Sequence, residues 1–431
     1  MSFKPITHDY KVRLIVLISV IPFLVFILSG CNLLQSSSEE VDKSTIPDTE
    51  VTVYSTFDDE YFYTFYGNYI LQKYPNIKFR LIKSTSSSSE IAVEEIKKYK
   101  PDLVITWNKN FQKLKDLGSL SDLTTFINSD EMNLENYYTE MIASLKNDFG
   151  QLNGLAPLVN AYGVYYNKNL FDVNKVAYPT DRMTWDEMLQ LTMRFTGTDT
   201  LGMEGLSPAS LLRHIARTKG WKIVDEQRNE LLFNQSAWTE AITMVLNTSR
   251  NNNVQNNSDL FLQGKSAMYF GMLDMVPKLQ QQQAFTWGIV TTPVDAEARN
   301  LNSEIFFNDI FCIPNDAVQK EVAWEIIKAV MSEDAVSYLQ RNSNTGAVST
   351  LKQHMNQYNG VDLTTLWQQE LDTRPYLSDK LSTTFIDSFD SMLDSVITLA
   401  LQTNMSPKEC LNKIVEQSKV IYQNELIDSK Q

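Results

Sequence analysis

The chain has 431 residues, and its 38 basic and 52 acidic side chains give a formal charge of −14, which excludes a nucleic-acid surface built on net positive charge. A composition of 43% hydrophobic, 11% aromatic and 21% charged residues is that of a folded protein long enough for two cores, so wholesale disorder is excluded as well. Cys31, Cys312 and Cys410, with His8, His214 and His354, leave too little material for a disulfide-stapled fold, a cysteine zinc site or a multi-histidine metal centre, and no metal or cofactor is expected.

In chain order, Lys4, Lys11 and Arg13 precede an apolar run from Leu14 to Leu28, the basic and apolar regions of a secretory signal. That run is broken by Pro22 and is short for a spanning helix. Leu28-Ser29-Gly30-Cys31 resembles the lipobox of bacterial lipoproteins, which implies that Cys31 carries diacylglycerol and becomes the mature N-terminus. Loss of residues 1–30 removes three basic and one acidic side chain and leaves a charge of −16, so attachment to the outer face of a membrane would come from lipid and not from charge. Residues 31–50, with Ser36-Ser37-Ser38, Glu39-Glu40 and Pro47, lack apolar periodicity and form a solvated tether, with the folded part starting near Val51.

Val51 to Tyr54 reads as a strand, Asp58 to Gln72 as a helix, and Ile77 to Ile82 as a second strand that runs into a flexible Ser84–Ser89 segment. Helical spacing returns at Ile91, Ile96 and Tyr99 and stops at Pro101; Asp102 to Thr106 is a third strand. This β-α-β-α-β order favours a parallel sheet with crossover helices. Leu155 to Asn167 is extended, and Thr184-Trp185-Asp186-Glu187 is a capping box that opens a helix through Met193. Further helices are expected at Ala209–Thr218, Ala237–Thr248, Val318–Met331, Thr383–Gln402 and Pro407–Asn424. The last of these follows a second capping box, Ser406-Pro407-Lys408-Glu409. Ala267–Phe270, Trp287–Val290 and Ile310–Ile313 are strand candidates, while Asn251–Asn257 and Gln280–Gln283 read as exposed polar connections.

Several segments together resemble the extracellular solute-binding proteins of family 1, the maltose-binding-like receptors of ABC importers. They are Pro101 to Ile105 with Leu117-Gly118 and Leu120 to Leu123; Gly163 to Lys168 with Leu170-Phe171; Thr184 to Glu187; Phe261 to Met268; and Pro314 to Met331 with Gly346. Their order and spacing over most of the mature chain carry the resemblance. It implies an α/β fold of two lobes, of the type II periplasmic-binding-protein kind, each a mostly parallel sheet flanked by helices, with a helical C-terminal region. One lobe would hold residues 51–157 plus 306–345 and the other 163–300 plus 346–431, and a hinge would close both over a solute. The resemblance also implies a monomer that hands its solute, a sugar or oligosaccharide, to the permease of an ABC importer. A binding lipoprotein that presents solute to a surface sensor kinase would use the same closure.

Sugar-binding members stack aromatic rings on pyranose faces and bond the hydroxyls with planar polar groups. Carried onto this chain, the ligand-binding candidates are Thr56, Phe57, Asp58 and Asp59 after the first strand, Trp107 and Asn108 after the third, Asn160 and Tyr162 before the Tyr-Tyr-Asn-Lys motif, and Phe385. Asp58 and Asp59 also suit a helix N-terminus. Trp107 ends a parallel strand, where open α/β sheets bind ligands. Tyr162 and Phe385 suit core or hinge packing better than a stacking platform, Tyr165 and Tyr166 belong to a crossing strand, and Trp185 and Trp324 belong to the core. The family's Gly-x-Trp after the Ala-Met pair is absent, because Gly271 is followed by Met272 and Leu273; Trp238 or Trp287 would have to substitute.

A secreted hydrolase finds no residues to stand on. Gly205-Leu206-Ser207-Pro208-Ala209 lacks the second glycine of a nucleophile elbow, Gly264-Lys265-Ser266 lacks the upstream glycine of a phosphate loop, and there is no His-Glu-x-x-His. The expectation is therefore a receptor with no catalytic residues, with Cys312 and Cys410 as buried free thiols.

Overall fold

The computed structural model describes residues 46–428, apart from residues 87, 226, 252, 257, 258, 308, 343–345, 375 and 378–380. The proposed signal and the Cys31 lipidation site lie outside the described residues. All elements below belong to one unit, Pro47–Gln431.

The first sheet is built from short runs of β-branched and aromatic residues. Strand β1 (Thr49–Ser55) begins two residues before Val51 and is followed by helix α1 (Asp59–Phe62), a π-helical turn at Tyr63–Gly67 and helix α2 (Asn68–Lys73). Strand β2 (Ile77–Lys83), helix α3 (Ser89–Tyr99), strand β3 (Leu103–Thr106) and helix α4 (Asn108–Asp116) complete the β-α-β-α-β series. Strands β1–β2 and β1–β3 pair in parallel, with Val53 opposite both Leu81 and Leu103. Val51, Val53 and Tyr54 are all buried, as a strand covered by helices on both faces requires.

The long strand β4 (Leu158–Asn167) crosses the molecule and pairs with four others along its length. Helix α5 (Trp185–Met193) opens with the complete capping box, both the Thr184 and the Glu187 bonds being made. Then come strand β5 (Leu201–Glu204), helix α6 (Pro208–Thr218), helix α7 (Gln235–Arg250), and strands β6 (Val254–Gln255), β7 (Ser266–Met272) and β8 (Trp287–Thr291). The chain returns through β9 (Ile305–Phe306) and β10 (Ile310–Cys312) to helices α8 (Lys320–Met331) and α9 (Glu333–Asn342), then β11 (Val348–Ser349) and the long helices α10 (Thr383–Gln402) and α11 (Pro407–Asp428). The resulting sheets run β10-β3-β1-β2 and β8-β4-β7-β5-β6, with β9 and β11 added to β4. Along β4, Val159 faces Val348, Ala161 faces Ile305, and Tyr162 to Tyr166 face Met272 to Met268.

A continuous core beneath the second sheet joins Trp185, Leu212, Trp238, Phe270, Phe385, Phe389, Ile397, Leu411 and Ile414. The close approach of β5 to β7 demands a glycine: Gly205 has φ +98°, and a Cβ there would collide with the Phe270 carbonyl oxygen. Cys312 and Cys410 are buried and free.

The structure corrects two readings. Asn251–Asn257 is not simply an exposed connection: Asn253 and Val254 are buried, Val254 pairs with Met203 in edge strand β6, and the Asn253 amide donates to the Thr196 hydroxyl at 2.6 Å. Gln280 and Gln281 close a helix, Met275–Gln281, instead of forming a loop. Among the described residues no helix is long and apolar enough to cross a membrane.

Candidate functional site

Strands β1 and β3 point their C-terminal ends to the same edge of the first sheet, and the chain after each supplies the site. The Thr56 amide donates to the Ile105 carbonyl at 3.2 Å, which places the two ends side by side. There Phe57 stacks on Tyr61 (ring centroids 4.2 Å apart, planes 16° apart), Tyr61 stacks on Phe65 (4.2 Å, 20°), and Phe57 and Trp107 meet in a T-shaped contact at 6.0 Å. Phe57 lies just before the Asp58 cap and packs back on Tyr61 in the first turn of α1, while Phe65 follows one turn later in the π-helical segment, so the ladder spans the loop after β1 and the helix start. Each such pair is worth about 0.5–1.5 kcal/mol beyond its burial, enough to hold the rings in place. Trp107, 37% exposed, leaves part of its indole open.

The polar candidates at this edge divide. Asp58 caps α1, its carboxylate accepting from the Tyr61 amide at 2.8 Å, while Asp59 is exposed in the first turn. Asn108 is exposed and accepts from the Gln112 amide at 3.1 Å. The Thr56 hydroxyl is buried and unpartnered among the described residues.

On β4, Asn160 is buried beside Phe306. Tyr162 is half-buried and stacks on Phe270 (5.3 Å, 25°), with Phe306 at 5.9 Å and the ring of His214 at 6.0 Å. Burial raises its hydroxyl pKa. Phe385 is not with these residues: at 2% exposure it is packed in the core against Phe389 and Tyr422, with no face to offer a solute. Trp238, 1% exposed, is likewise core and cannot replace the missing stacking tryptophan; Trp287 lies half-buried on β8 beside Tyr165. The ring of Tyr269 lies over Gly271, on the spot where a Cβ would stand, so this half-buried tyrosine occupies the neighbourhood of the family's Gly-x-Trp.

Sequence reasoning passed over the charged groups that hold these rings. Asp309, 2% exposed, accepts from the hydroxyls of Tyr61 (2.9 Å) and Tyr66. Burial pushes its carboxyl up to about 6, against the opposing effect of those two hydrogen bonds. Glu304, 1% exposed, meets His214 Nδ1 at 2.8 Å and Arg217 at 3.6 Å. Burial alone would raise its pKa, but His214 and Arg217 outweigh it and hold the carboxyl below its ordinary range. Neither acid stands in a recognisable motif, and only the fold reveals their partners.

A cavity of about 570 Å³, lined by Trp185, Lys219, Trp221, Glu240 and Met244, opens along helices α5 and α7. Its Trp185 packs against Phe270 and His214 (ring centroids 5.7 and 6.3 Å), but none of the ligand-binding candidates lines it, so it is not the candidate site. Ser207 of the elbow-like segment is occupied as the N-cap of α6, its hydroxyl accepting from the Ser210 amide at 3.1 Å.

The family model for bacterial extracellular solute-binding proteins matches residues 70–357, well over half of the chain. The chain therefore belongs to the bacterial extracellular solute-binding protein family, whose members are binding proteins, and membership implies a periplasmic or extracellular location. A search among curated proteins finds no match. The sugar-binding protein MalE from Xanthomonas citri is similar in fold at a TM-score of 0.67, with 14% identity over 89% of this chain and 100% of that one. The ABC substrate-binding protein Lmo0181 from Listeria monocytogenes, solved with cycloalternan, aligns at 0.62 with 18% identity over 86% of this chain and 98% of that one. The cyclic alpha-maltosyl-1,6-maltose binding protein from Arthrobacter globiformis aligns at 0.61 with 16% identity over 88% and 100%. These likenesses show the fold, the two-lobe α/β architecture of periplasmic binding proteins.

Proposed function

We propose that this protein is a lipid-anchored receptor that captures a sugar or oligosaccharide by hinge closure and delivers it to an ABC permease. The observation that carries the reading is the Phe57–Tyr61–Phe65 ladder with Trp107 at its end, set on the C-terminal edge of a parallel sheet. Flat apolar rings next to hydroxyl and carboxylate groups match the alternating faces and edges of a pyranose. The binding of sugars by proteins of the same fold supports the choice of cargo. Residues 51–157 plus 306–345 would move as one lobe and 163–300 plus 346–431 as the other, with Thr56, Phe57, Asp59, Trp107 and Asn108 on one side of the solute and Tyr162 on the other. A solute gains its full set of contacts only when both sides surround it, so its binding energy is what shifts the equilibrium towards the closed state.

The test is a thermal-shift screen of the chain lacking residues 1–31 against sugars, amino acids, peptides and polyamines. A ligand at 100 times its Kd stabilises the native state by about 2.7 kcal/mol, which moves the midpoint measurably. A response to another solute class and to no sugar would refute the carbohydrate assignment.

A further inference from the structure

Residues 304 and 309 are five positions apart on the short return segment that carries β9 and leads into β10, yet their carboxylates serve opposite sheets. Glu304 is tied to the second sheet, where its backbone carbonyl accepts from the Tyr162 amide at 3.0 Å and its side chain meets His214 and Arg217 of α6. His214 in turn packs on Phe270 at 4.8 Å, the ring on which Tyr162 stacks. Asp309 is tied to the first sheet, where it accepts from Tyr61 and Tyr66, and Tyr61 is the middle ring of the ladder.

We propose that Glu304 and Asp309 are paired positioning residues: from one crossing segment, each fixes the aromatic group that would meet the solute on its own side of the cleft. This rests on the receptor reading above and adds to it the residues that register the two ring clusters against each other.

The two anchors differ in kind. Glu304 faces two basic side chains, His214 and Arg217, together with the Ser303 hydroxyl and the Tyr162 phenol. Asp309 faces the phenols of Tyr61 and Tyr66, both of which its charge and their own burial hold un-ionised. A carboxylate supported only by phenols takes up a proton in mildly acidic solution and then accepts their hydrogen bonds more weakly, whereas the one facing basic side chains does not. The first-sheet ladder is therefore the half that loosens on acidification.

The experiment uses the soluble chain labelled with 3-fluorotyrosine and followed by fluorine NMR, with Tyr61 and Tyr66 assigned from Tyr61→Phe and Tyr66→Phe. Both signals should titrate together with a midpoint near pH 6 in the parent, and neither should in Asp309→Asn. Glu304→Gln should leave that titration intact while moving the Tyr162 signal. No ligand enters this arm, so its failure overturns the positioning proposal whatever the cargo. With the sugar that responds in the thermal-shift screen as probe, Tyr61→Phe and Asp309→Asn should each lose affinity by about tenfold, the scale of one charge-assisted hydrogen bond. Unchanged affinity in both, with a parent that binds, overturns the proposal. A parent that binds no sugar but shows the titration refutes the cargo assignment alone.

Discussion

Replacing Asp309 by asparagine preserves size and shape and removes one titratable proton from the interior. In the folded protein burial lifts that carboxyl from its ordinary 3.8 to about 6. Between those values the native state binds more protons than the unfolded chain, so stability falls as the pH rises through the window. Below about pH 4 the group is protonated in both states and contributes no difference; above about pH 6 the full penalty applies. At 1.36 kcal/mol per pH unit the gap amounts to about 3 kcal/mol, and no solvent screening reduces it because the group is fully buried. The asparagine amide carries no such dependence. The stability of Asp309→Asn relative to the parent should thus rise by about 3 kcal/mol between about pH 4 and pH 7.5, superimposed on a pH-independent offset for the altered hydrogen bonds. Urea unfolding followed by circular dichroism at stepped pH measures the difference directly, and titrations elsewhere in the chain cancel between the two proteins. A difference that stays flat within about 0.5 kcal/mol, or that falls with pH, would refute the assignment of a buried carboxylate supported only by phenol hydrogen bonds.

Trp107→Ala should weaken solute binding while leaving unliganded stability within about 1 kcal/mol of the parent, since a partly open ring carries little packing energy; a larger loss in urea unfolding would reassign it to the core. Phe385→Ala should do the reverse, costing about 3–5 kcal/mol of stability with solute affinity unchanged, and a selective loss of affinity would return Phe385 to the site. Thr184→Ala removes one half of the α5 capping box and should cost about 1 kcal/mol in the same urea titration. Gly205→Ala forces a Cβ onto the Phe270 carbonyl at a positive φ, so it should destabilise by at least about 3 kcal/mol or abolish soluble expression.

Local patterns made much of the fold legible. The β-α-β-α-β opening, the Thr184 and Ser406 capping boxes and the bounds of α10 follow from hydrogen-bonding needs and periodicities that a chain carries within a few residues. Edge strand β6 and the helix at Met275–Gln281 were not legible. Their Asn- and Gln-rich sequences advertise solvent, and burial of Asn253 depends on a partner 57 residues away, at Thr196.

The candidate site divides in the same way. Residues following strand ends were readable as a group, because a parallel strand's C-terminal edge is a location that topology alone defines, and Thr56, Phe57, Asp58, Trp107 and Asn108 fall there together. Which side chains are free to act was not readable. Phe385 looks no different in sequence from Phe57, yet one is packed between helices and the other stands in an aromatic ladder. Glu304 and Asp309 illustrate the limit most sharply: their partners lie 90 residues upstream for His214 and 248 for Tyr61, and a buried carboxylate acquires its properties only from what the fold brings beside it. Residue order was enough for the class of fold and for the edge where chemistry can gather, since both follow from local pattern and strand sequence. Long-range packing was needed to settle which aromatic rings stay accessible and which acids hold them, because burial and charge pairing join residues that the chain itself keeps far apart.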